Sequence, residues 1–133
     1  MKYEANRAEC VKVIGEERAA QIEQDVIDRH RQLYSDDEMW EILTDRQERM
    51  ASLLKTMGKV GTMLCVGSFS DKESNMWRGE IDRFSREYAG HVEFCDCLIW
   101  HMGKRGLLDP ANWREGWQDF QRASALDWYG WPN

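Results

Sequence analysis

A chain of 133 residues is one domain's worth, and a mean hydropathy of −0.72 with 32% charged residues leaves it a modest core and a wide wet surface. The formal net charge of −6 argues against a phosphate-backbone binder, which needs a basic surface, and suits an acidic face that meets a basic groove on a protein partner. No apolar run approaches the roughly eighteen residues of a membrane span, and the opening MKYEANRAEC lacks the apolar centre of a signal peptide, so a cytoplasmic location is expected.

Residues 4–14 read as a short helix that Gly15 can break. Residues 16–34 carry apolar side chains at Ala19, Ile22, Val26, Ile27 and Leu33, the stripe of an amphipathic helix. His30 falls among arginines near the polar face and reads as an ordinary surface histidine. Ser35 with Glu38 three residues on is a capping box, and Asp36 and Asp37 suit the positive end of the helix that follows. That helix should run from about 36 to 66, with Leu43, Met50, Leu53, Met57, Val60 and Leu64 in coiled-coil-like spacing. Arg46 stands where the pattern wants an apolar residue, so it marks a bend, an exposed turn or a site. Asp45 and Arg49 are placed to pair at i,i+4.

Gly67-Ser68-Phe69 is the next turn, and Ser70 with Glu73 repeats the capping pattern. From Ser70 to Gly106 the apolar residues Trp77, Ile81, Phe84, Tyr88, Cys95, Ile99 and Met102 form one stripe, on a single long helix or on two hinged at Gly90. Lys104 and Arg105 suit the end of a helix and Gly106 ends it. Asp109-Pro110 is an N-cap followed by proline at the first helical position, and the last helix runs from 110 to about 126 with Trp113, Trp117, Phe120 and Ser124 on one face. Strand patterns are absent. The fold class is all-α: a single helical domain over 1–133, four to six helices in an antiparallel bundle-like array, with an aromatic tail at 127–133.

Chemistry concentrates in the long helix. Glu93 and Asp96 stand three apart, so their carboxylates can converge on Mg²⁺, usually with acids from a second helix. Glu93, Cys97 and His101 mix ligand types that zinc accepts, yet at i, i+4, i+8 they span about 12 Å and cannot all reach one ion. Cys97 and His101 alone can supply two zinc ligands, or a nucleophile and its base. Cys95 and Cys97 lie roughly 200° apart around a helix and read as structural thiols, not as a metal pair. The four cysteines come without a secretory signal and do not form a disulfide framework.

The segment Glu93-Phe-Cys-Asp96 followed by an apolar helix, the Gly106 turn and Asp109-Pro110 resembles the final motif of MazG-like all-α nucleoside triphosphate pyrophosphatases. The resemblance spans residues 40–120. It implies Glu93 and Asp96 as magnesium ligands, joined by an E-x-x-E pair from a preceding helix. Here Leu53 to Leu64 matches that preceding helix, but Thr56 and Lys59 stand at the acidic positions. Asp45-x-x-Glu48 offers another register, at a longer separation from Glu93 than the family usually shows.

Seven tryptophans are many for this length. Trp77, Trp100, Trp113 and Trp117 fall at helical positions and suit helix interfaces. Trp128, Tyr129 and Trp131 sit on a terminal segment without helical periodicity. It either folds back into a groove or anchors a partner, because tryptophan and tyrosine dominate interface hot spots. The sequence thus points to a small acidic helical protein that binds another protein, of the kind that phages and mobile elements carry as accessory or inhibitor proteins. No cofactor is expected on this reading. Self-association is a further outcome, direct nucleic-acid binding is not expected, and the divergent Mg²⁺-dependent pyrophosphatase is the alternative.

Overall fold

The computed structural model describes the backbone of residues 2–128 and the side chains of residues 5–123. Five helices follow one another: α1 (Lys2–Ile14), α2 (Glu16–Leu33), α3 (Asp36–Val66), α4 (Asp71–Lys104) and α5 (Pro110–Trp128). The all-α expectation holds, with no strand among the described residues.

Local signals set the boundaries. The amide of Glu38 donates to Ser35 Oγ at 3.1 Å, and the Ser35 amide points back to Glu38 Oε1 at 3.5 Å, completing the capping box of α3. Ser70 caps α4 in the same way, accepting from the Glu73 amide at 3.2 Å. Asp109 Oδ1 accepts from the Ala111 amide at 3.0 Å at the start of α5. Gly15 at φ 87° and Gly106 at φ 73° take the left-handed backbone that side chains resist, which is why α1 and α4 end where they do.

The α3–α4 antiparallel hairpin is the body of the molecule. At about 1.5 Å per residue, the 34 residues of α4 make a rod of about 50 Å. The helix is continuous through Gly90, so the hinge alternative does not arise: Gly90 is exposed and nothing lies near its α-carbon to exploit a break. The core joins Met39, Leu43 and Met50 of α3 to Cys95, Leu98, Ile99 and Met102 of α4, all nearly or fully shut off from water. The upper half of the expected α4 stripe, Trp77 to Tyr88, is only half-buried.

Arg46 does not bend α3. Its guanidinium lies 3.8 Å over the Phe94 ring and donates to His91 Nδ1 at 2.8 Å, so a cation covers the seam where an aliphatic residue was expected. Arg49 turns away from Asp45 to pair with Glu87 across the hairpin at 2.7 Å. That guanidinium, and to a lesser degree His91, holds the Glu87 carboxyl below the usual range against the opposing effect of burial. An inter-helix acid level with Arg49 outcompetes the local one because two packed helices fix both ends of the pair.

α5 returns along α3 and α4. Trp113, Trp117 and Phe120 stack in series, with ring centroids 6.0 and 5.0 Å apart, as their shared face predicts. Gly103 allows this return: a methyl group there would stand 2.7 Å from Pro110 Cγ. The α1–α2 hairpin is a separate arm that meets the rest of the fold where α2 touches α4.

Candidate functional site

A groove of about 710 Å³ lies between the α1–α2 arm and the corner where α4 gives way to α5. Two helical stripes form one wall: Arg7, Cys10 and Ile14 on α1, and Ala19, Ile22 and Val26 on α2, each stepping by three and then four residues. Such spacing ordinarily faces another helix. Here Ile22 is 47% exposed and Val26 41%. Trp100, Gly103, Pro110 and Ala111 form the opposite wall.

Glu23 ties the arm together. Its carboxylate accepts from Arg7 Nε of α1 at 2.7 Å and pairs with Lys104 Nζ of α4 at 3.0 Å, so one side chain joins three helices. Burial pushes this carboxyl up, but the bonds from Lys104 and Arg7 outweigh burial and hold it below the usual range. Arg7 also grips Glu16 at 2.7 Å. The cations Arg7, Lys104 and Arg114 line the groove against the carboxylates of Glu23 and Asp109.

Beside the groove lies a second cluster. The rings of His30 on α2 and His101 on α4 stack at 3.8 Å, 11° from parallel. Arg105, its side chain only 4% exposed, donates to His30 Nδ1 at 2.8 Å, to the Tyr34 carbonyl at 2.8 Å and to Asp36 Oδ1 at 3.1 Å. One guanidinium therefore joins the end of α4 to the end of α2 and the start of α3. His101 is buried, and its Nδ1 and the Nε of Arg105 have no hydrogen-bond partner. Burial, the His30 ring and Arg105 push the His101 imidazole down to about 4, and burial with Arg105 lowers His30 as well.

His30 is thus not the ordinary surface histidine that its arginine neighbours suggest. Its neighbours in sequence are solvated, but α4 packs over its ring. No local signal could have found this pair, since the contact depends on where a helix about 70 residues away is placed.

The other expected metal and nucleophile residues, Glu93, Asp96 and Cys97, lie along α4. Glu93 is exposed and Asp96 half-buried, the latter 3.5 Å from Arg114 Nε. Met57 meets Ser85 across the hairpin at 3.4 Å, which sets Thr56 and Lys59 level with that part of α4. Eleven residues of helix, about 16 Å, separate Ser85 from Asp96. In this register the two positions that the pyrophosphatase resemblance would pair do not face one another. Among the described residues, no three His, Cys, Asp or Glu side chains gather as a metal-sized group. Cys97 is half-buried, while His101 is committed to the His30 stack. Cys95 is buried 3.6 Å from Met50 Sδ, and burial pushes its thiol up to about 11, as an inert core residue.

Of the aromatic tail, the backbone of Trp128 continues α5, two residues beyond the expected end. Its side chain, Tyr129 and Trp131 lie outside the described residues.

Set against protein-family models, curated proteins and solved structures, the chain gives no significant match.

Proposed function

We propose that this protein acts by binding another protein, and that the groove between the α1–α2 arm and α4 receives an amphipathic helix from that partner. The observation that carries this reading is the pair of three-four stripes on α1 and α2, whose residues Ile14, Ile22 and Val26 stay exposed at 37–47% in the chain alone. A partner helix with apolar residues at i, i+3, i+4 and i+7 matches those stripes. The cations Arg7, Lys104 and Arg114 on the walls are already paired within the chain, with Glu16 and Glu23, with Glu23 and with Asp96, so the apolar stripe sets the fit.

Selection of helical peptides from a displayed library against the purified chain tests the reading. Selected peptides should carry an apolar stripe at i, i+3, i+4 and i+7. They should bind at least tenfold more weakly to Ile22→Glu, and should slow alkylation of Cys10, which lines the groove. Peptides that bind Ile22→Glu as tightly as the parent would overturn the site. Light scattering of the free chain distinguishes a second copy as the occupant: a dimer that Ile22→Glu dissolves would replace the foreign partner.

A further inference from the structure

The cluster beside the groove is built from groups that proton uptake would set against one another. Arg105 donates to His30 Nδ1, so that nitrogen must be unprotonated for the bond to exist. A proton there breaks the bond and sets two cations face to face. A proton on His101 places a cation in a buried stack 3.8 Å from the His30 ring. The surroundings give little compensation. Arg105 and Lys104 from the end of α4, and Arg31 from α2 beside the Arg105–Tyr34 contact, are positive. The opposing carboxylates are Asp36, 61% exposed and held by Arg105, and Glu23, held by Lys104 and Arg7. Tyr34 and Trp100 supply ring edges and faces but no charge.

We propose that His30, His101 and Arg105 form a proton-sensitive latch that holds the α1–α2 arm on α4 at neutral pH and releases it on acidification. This inference stands apart from the identity of any partner, since it concerns the arm itself. The direction follows from linkage. An imidazole lowered in the closed arm takes up more protons when the arm opens, so closure is fully favoured above the ordinary value of 6.5 and weakens as pH falls toward 4. For His101 alone, moving from about 4 when closed to 6.5 when open favours opening about 30-fold at pH 5 over pH 7.5.

Hydrogen exchange of the full chain, read by mass spectrometry at pH 7.5 and 5.0 and corrected for intrinsic rates, tests the latch. Amides of α2 should lose about 30-fold in protection at pH 5.0 while those of the α3–α4 hairpin keep theirs. His101→Phe preserves a stacking ring without a titrating nitrogen and should remove most of that pH dependence. Equal protection of α2 at both pH values would overturn the proposal, as would an undiminished pH response in His101→Phe. If that variant does not fold, the imidazole titration of the parent chain followed by NMR decides the matter. A His101 midpoint well below 6.5, with α2 resonances shifting in step, supports the latch, and a midpoint at or above 6.5 overturns it.

Discussion

The indole Nε1 of Trp117 donates to the hydroxyl of Tyr88 at 2.9 Å, and the amide of Gln121 reaches the same oxygen one turn further along α5. One phenol thus receives two donors from a helix that begins more than twenty residues later. Tyr88→Phe keeps the ring and its packing but leaves both donors without their acceptor. The expected loss is about 1–3 kcal/mol in urea unfolding, with an unchanged slope.

Met50→Ala should cost more. Met50 is fully buried, packs in the α3–α4 core and lies against the Cys95 sulfur. Removing a core methionine side chain costs about 2–5 kcal/mol, depending on how far the site collapses. Equilibrium unfolding should show it as a single cooperative shift to lower denaturant, because the hairpin is shared by every helix pair in the body of the fold.

Gly15→Ala should separate the arm from that body. The residue sits at φ 87° and ψ 160°, a region almost closed to side chains, with open space around it. The cost is backbone strain of about 1–3 kcal/mol rather than a clash. Hydrogen exchange should therefore rise in α1 and the first turns of α2, and remain unchanged in α3 and α4.

Glu23→Gln removes the carboxylate that joins α1, α2 and α4. Its carboxyl is held below the ordinary 4.5, so its contribution is fully present above that value and disappears as pH falls through the lowered one. Parent and variant should differ in arm protection at pH 7 and converge once the pH has fallen well below 4.5. Added salt should narrow the difference at neutral pH, since Lys104 is partly exposed.

The helices and their ends were legible in the sequence because each rests on a few adjacent residues. Ser35 with Glu38, Ser70 with Glu73, Asp109 with Pro110, and the two glycines after α1 and α4 all act within one turn. The apolar stripe of α4 likewise pointed to Cys95, Ile99 and Met102. What local pattern could not show is which side chains meet across helices. Arg49 chose Glu87 over Asp45, and Arg46 found His91 and Phe94, because an antiparallel register decides those partners. The surroundings of the candidate site depend on the same register. The Glu93–Asp96 pair is visible in sequence, yet the register separates it from Thr56 and Lys59. The histidine stack and the groove arise only when an arm from the first third of the chain meets the last turns of α4.

The bond between Arg105 and His30 spans 75 positions, which gives it a consequence in time. During synthesis α1 and α2 are complete long before the ribosome reaches the end of α4. At about 5–20 residues per second the arm waits several seconds for α4, with Ala19 and Ile27, which the finished fold buries, still lacking that neighbour. A nascent chain thus presents its arm first and its clasp last. Any factor that meets the chain as it emerges encounters the groove's inner wall before the groove exists.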